Sequence, residues 1–196
     1  MVVIDATNLL LMLRPDTPVP SGPDGVAISH PKERIEFLVQ QLDKAKTKII
    51  VPTPALSEAL VRAGVEASQQ IVEQLQRFSV FGIEPFDTRA AIEVAAMTRD
   101  AKAKGNKRGA SAATWAKVKY DRQIVAIAKV NGATTIYSDD RDIKTLAKAA
   151  KINVVALADL PLPPQAAQLA LQLTNPEPRP AGDESAKDET EPSGQG

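Results

Sequence analysis

The stretch IYSDDRDI at residues 136–143 places Asp139, Asp140 and Asp142 within four positions, directly after the β-like run ATTIY. Asp5 ends another apolar run, VVI, and Glu58 lies one helical turn beyond KIIVP, in PTPALSEAL. Asp121 sits in WAKVKYDRQIVAIAKVNGA, just ahead of a segment that is apolar on most sides. An acid beside such a segment needs a partner, because an unpaired buried charge is costly. If Asp5, Glu58, Asp121 and Asp140 converge, they repel strongly. Two unit charges about 4 Å apart cost about 4 kcal/mol at an effective dielectric near 20. Several such pairs rival the ~5–15 kcal/mol that holds a domain together. A divalent cation removes the conflict, and all-oxygen ligands suit Mg²⁺ or Mn²⁺. A cation held this way acidifies water and neutralises charge developing on a phosphate, which is what phosphodiester hydrolysis requires.

Other chemistries lack their residues. The chain has no cysteine and a single histidine, His30. That excludes disulfides, thiolate metal sites and cysteine nucleophiles, and argues against a Ser-His-Asp triad. No GxxxxGK[ST] loop is present, so P-loop nucleotide hydrolysis is not supported. Acids gathered at strand ends also suggest a phosphoacceptor receiver domain, but VVIDATN offers one acid where that fold pairs two.

The elements that must position these acids alternate. VVI, KIIVP, VFGIEPF, ATTIY and INVVA read as strands. Helices are expected over 7–13, 31–46 (Ile35, Leu38, Val39 and Leu42 on one face), 53–64, 67–78, 88–104, 111–131 and 142–150. Thr53 is expected to cap the third of these and Asp87 or Thr88 the fifth, while Gly132 ends the sixth. Residues 14–31, with four prolines before Pro31, form a long loop. Alternating apolar strands and helices imply an α/β fold with a mostly parallel sheet, whose ligands bind beyond the carboxyl ends of the strands. Asp5 and the 139–142 acids follow two such ends.

Asp5 in VVIDATNLL, Glu58 in PTPALSEAL, Asp121 in YDRQIVAIAKVNGA and Asp140 in YSDDRDI together resemble the PIN-domain nucleases, and among them toxin ribonucleases of the VapC type. The resemblance spans residues 1–160. It implies a three-layer α/β/α fold, dependence on Mg²⁺ or Mn²⁺, endonucleolytic cleavage of RNA, a homodimer and an inhibitory antitoxin partner. It implies that Asp5, Glu58, Asp121 and Asp140 are the catalytic metal-binding acids, that Asp142 is a further metal ligand, and that Asn8 orients the site. Asp139 has no counterpart role. The long 14–31 loop and the acidic tail depart from the small toxins, which weakens the toxin expectation more than the nuclease expectation. Alternatives of the same fold are a DNA or structure-specific nuclease and a non-catalytic module binding RNA or protein.

Charge distribution bears on the substrate. Net charge is zero, but residues 174–196 hold six acids and two bases. Residues 1–173 therefore carry 22 of the 24 bases and 18 of the 24 acids, a surplus of four. The stretch 99–122 concentrates eight bases against Asp100 and Asp121. Its basic residues Lys102, Lys104, Lys107 and Arg108 are expected to hold an RNA backbone; a solvated helix face is the plainer alternative. Trp115 could stack on a base or simply pack. A C-terminal helix over 161–173 and a disordered acidic tail over 174–196 complete the expected organisation. No run is long and apolar enough to span a membrane and the N-terminus lacks a basic leader, so a soluble cytoplasmic protein is expected.

Overall fold

β1 (Val2–Ile4) is buried along its whole length, and this decides its place in the sheet. A strand apolar on both faces belongs in the middle of a parallel sheet covered on both sides. In the computed structural model, which describes residues 1–14, 16–22, 25–109 and 111–164, β1 pairs with β2 (Ile49–Pro52) on one edge and β4 (Thr135–Tyr137) on the other. β3 (Phe81–Glu84) extends the sheet beyond β2, and β5 (Asn153–Val155) beyond β4. The order is β3-β2-β1-β4-β5. Every pairing is parallel, so the sheet is wholly rather than mostly parallel.

Helices fill the crossovers: α1 (Ala6–Leu13), α2 (Pro31–Lys44), α3 (Thr53–Ala63), α4 (Val65–Arg77), α5 (Thr88–Ala103), α6 (Trp115–Val130) and α7 (Arg141–Ala149). α1 packs on α2 and α3, and α3 on α4; α5 packs on α6, and α6 on α7. Right-handed crossovers from a central first strand put these two groups on opposite faces, giving three α/β/α layers. The main core joins Val3, Ile4, Ile50, Val51, Ile127 and Ile136, all at most 2% exposed. A second cluster, built on Ile28, Ile35, Leu38, Leu157 and Leu160, ties the end of the long loop and α2 to a 3-10 turn at Leu157–Asp159.

Helix ends follow local chemistry, with two corrections. Asp87 and Thr114 cap α5 and α6, each accepting from a backbone N–H three residues on. α6 therefore starts at Trp115 and not at Ser111, whose hydroxyl accepts from Ala113 N in a tight turn of its own (3.0 Å). Thr53 is the first helical residue of α3, not its cap; its hydroxyl accepts from Phe86 N (3.1 Å), beyond β3. Gly132 takes φ +67° after α6, a conformation that costs glycine little. Residues 161–164 carry no regular structure, and the rest of the expected C-terminal helix and the acidic tail lie outside the described residues. Among the described residues no helix is long and apolar enough to cross a membrane.

Candidate active site

The chain moves outward from β1 to β2 and β3, then returns to lay β4 on β1's other edge. Beyond the carboxyl ends of β1 and β4 this reversal opens a crevice, the usual ligand position in open parallel sheets. A cleft of about 700 Å³ lies there, and Asp5, Glu58, Asp121 and Asp140 all line it. The four acids therefore share one cleft, but they do not form one tight cluster.

The tight cluster is Asp121, Asp140 and Asp142. One carboxylate oxygen from each lies within 4.8 Å of the other two. α6 supplies the buried Asp121, and the start of α7 supplies the other pair. Asp140 divides its two oxygens. Oδ1 caps α7, accepting from Asp142 N (2.7 Å) and Ile143 N (3.2 Å), while Oδ2 faces the cluster. One carboxylate thus both caps α7 and faces the cluster.

Lys117 sits among the three. Its ammonium lies 2.8 Å from Asp121 Oδ2, 2.7 Å from Asp140 Oδ2 and 3.5 Å from Asp142 Oδ2. Partial burial works against its charge, but hydrogen bonds to Asp121 and Asp140 outweigh this and raise its pKa well above the ordinary value. Burial pushes the Asp121 carboxyl up to about 6; Lys117 opposes this, and the Asp140 and Asp142 charges add to it. Burial also disfavours ionised Asp140, yet Lys117 and the capped amides of Ile143 and Asp142 hold it below its usual range. Residue types and strand ends do not mark Lys117 as a site residue. The signal that could is its place four residues before Asp121, one turn away on the same helical face.

Asp5 and Glu58 occupy other walls of the cleft. Asp5 is buried and caps α1, its Oδ1 accepting from Asn8 N (2.8 Å). Burial raises its pKa to about 6; Ser138 and the Asn8 amide oppose this, while Asp139 and Glu58 reinforce it. The Asn8 side chain is fully buried, and neither its Oδ1 nor its Nδ2 has a partner among the described residues. Glu58 is exposed on α3, 3.8 Å from Arg62. Asp139 lines the cleft, but its Oδ1 accepts from Leu157 N (3.1 Å), tying β4 to the 3-10 turn.

The basic strip divides. Lys104 and Arg108 line a second cavity of about 650 Å³ with Arg122 and Lys129, on the α5 side of α6. Asp142 also lines it, so the cluster stands between the two cavities. Lys102 lines neither cavity. Lys107 and Arg122 lie over Trp115, 5.0 and 5.5 Å from its ring centre, so the indole is engaged by two cations. Arg122 is 1% exposed and gives a hydrogen bond to Thr98 Oγ1 (3.0 Å); its Nε has no partner among the described residues.

The sequence profile of the PIN domain matches residues 26–149, more than half the chain. The chain belongs to the PIN-domain family. The matched span includes Glu58, Asp121, Asp140 and Asp142 but begins after Asp5 and Asn8. Solved structures share the fold at low identity. The chain is similar to one of a FitAB complex bound to an IR36 DNA fragment (18% identity, TM-score 0.53, covering 82% of this chain and 98% of that one). It is also similar to one of VapBC2 from Rickettsia felis bound to a DNA fragment from their promoter (14% identity, TM-score 0.52, covering 80% and 98%). A third is DNA-bound VapBC from Salmonella typhimurium (15% identity, TM-score 0.51, covering 80% and 97%). No curated protein matches the chain.

Proposed function

We propose that this PIN-domain protein is a divalent-cation-dependent endoribonuclease, with residues 1–160 as its catalytic unit. The observation that carries this reading is the three-carboxylate cluster, within 4.8 Å, at the carboxyl end of the sheet of a PIN-family chain. The residues fit a hard cation. All donors are oxygens, and three carboxylates face one ammonium.

Asp121, Asp140 and Asp142 would hold Mg²⁺ or Mn²⁺, with Asp5 and Glu58 on the facing walls of the cleft. When bound, the cation supplies acidified water and neutralises charge on the phosphate. The chain's own groups do the positioning. The α7 amides fix one oxygen of Asp140, so the other is held toward the cluster. The Asn8 amide fixes Asp5 in the same way. Lys104 and Arg108, on the far side of Asp142, hold the backbone of the strand as it leaves the cleft. Trp115, already engaged by Lys107 and Arg122, packs and does not stack on bases.

The fold likeness to chains of VapBC and FitAB complexes supports a further part of the reading: the protein acts in the cytoplasm as the homodimeric toxin of a toxin–antitoxin pair. Matched RNA and DNA oligonucleotides, incubated with Mg²⁺, Mn²⁺ or EDTA and with wild type or Asp121→Asn, test the core of it. RNA cleavage that needs the cation and is lost in the folded variant is the expected result. Cleavage of DNA alone would move the substrate assignment, and cleavage in EDTA would remove the cation.

A further inference from the structure

Lys117 makes an arrangement that phosphodiester hydrolysis does not require. One ammonium touches all three carboxylates that would hold the cation, at 2.8, 2.7 and 3.5 Å. Among the described residues no other basic side chain lies within ion-pair distance of Asp121, Asp140 or Asp142. The cluster's charge is thus balanced from within the chain, and only in part, by one positive against three negative. We propose that Lys117 is a resident counter-cation, which a divalent ion must displace from Asp121, Asp140 and Asp142 and which thereby sets the chain's metal affinity. This inference rests on the reading of the cluster as a metal site.

The side chain is built to leave. It is 41% exposed and lines the open cleft, whereas the Asp121 side chain is 8% exposed and Asp140 is fixed by two amides. The acids stay and the lysine moves. A flexible four-carbon stem lets the ammonium swing outward without disturbing α6. It departs only when its charge is replaced, since three carboxylates left alone would repel. A divalent ion offers twice the charge at the same oxygens. At low metal the site is closed by its own lysine, and at high metal it opens.

A lysine that merely braces α6 against α7 would make the same contacts, and the two roles separate experimentally. The full chain, Lys117→Met, Lys117→Gln and Asp140→Asn are titrated with Mn²⁺ by calorimetry and melted in EDTA and in saturating Mn²⁺. The expected result is Mn²⁺ binding about tenfold tighter or more in both lysine variants, and weaker binding in Asp140→Asn. Both lysine variants melt below wild type in EDTA, and the gap closes or reverses with Mn²⁺, because a tighter ligand stabilises more. Equal affinities, with a melting gap that Mn²⁺ leaves unchanged, overturn the inference while the metal site stands. No Mn²⁺ binding or thermal shift in any protein, Lys117 variants included, overturns the metal site and this inference with it.

Discussion

Asp5 and Asn8 meet at the first turn of α1, where the Asn8 backbone N–H donates to Asp5 Oδ1 at 2.8 Å. The same contact that starts the helix holds a buried carboxylate at the cleft. Burial dominates, and Asp5 titrates at about 6 instead of its usual 3.8. In the window between those values the folded chain keeps a proton that the unfolded chain has lost. The advantage this gives the folded state is complete below about pH 4 and lost as pH rises through about 6. A shift of that size corresponds to about 3 kcal/mol at most. Asparagine caps as well as aspartate and carries no charge. Asp5→Asn is therefore expected to be more stable than wild type at pH 7 in EDTA, by up to about 3 kcal/mol, with the difference vanishing near pH 4. Urea unfolding of both proteins across that range measures it. A difference that does not change with pH would show that burial does not penalise the Asp5 charge.

Asp140 does two jobs with two oxygens, and two substitutions separate them. Asp140→Asn keeps a cap and loses the charge; Asp140→Ala loses both. Cleavage is expected to disappear in either. Alanine should cost about 1 kcal/mol more in unfolding free energy than asparagine, the usual worth of an N-cap. Equal stability of the two variants would mean that the amides of Asp142 and Ile143 do not depend on this side chain.

Glu58 tests how far the site extends beyond the tight cluster. It is 57% exposed and its pairing with Arg62 is long, so Glu58→Gln should leave stability within about 0.5 kcal/mol. A drop in cleavage at unchanged stability is the expected outcome, smaller than that of Asp121→Asn. Full activity in Glu58→Gln would take Glu58 out of the site and leave it a rim acid.

Lys104 and Arg108, which line the second cavity, predict a salt effect. Replacing Lys104 and Arg108 together by alanine should weaken RNA binding and reduce the slope of log K against log salt by about 1.4, two single-strand phosphate contacts. Lys102→Ala, which lines neither cavity, should change it less. Binding of inactive Asp121→Asn protein to a labelled oligonucleotide at several salt concentrations gives these slopes directly. An unchanged slope in the double variant would return the strip to a solvated helix face.

Much of this architecture is legible because it is local. VVI is followed directly by Asp5, and ATTIY, after Ser138, by Asp139 and Asp140. Parallel strands place such ends on one side of the sheet, so the amino-acid order by itself points Asp5 and Asp140 to a shared cleft. The helix ends at Thr53 and Ser111 are less legible. Both hydroxyls could cap, and each instead accepts from a different backbone amide, one of them across the fold at Phe86. Lys117 is legible only in half. Its pairing with Asp121 lies within one helix, but its contacts with Asp140 and Asp142 exist only once α7 has docked on α6. Side-chain meetings of that range carry no local pattern.

The pairing of β1 with β4 sets a timetable. Val2 precedes its partner on one edge, Thr135, by most of the described chain, and Asp142 comes later still. Contacts so distant in sequence form late and slowly. During synthesis β1 must wait with one edge open, and the three carboxylates have nowhere to meet until α6 and α7 have both emerged from the ribosome. A growing chain therefore carries no assembled acid cluster until α7 can dock on α6.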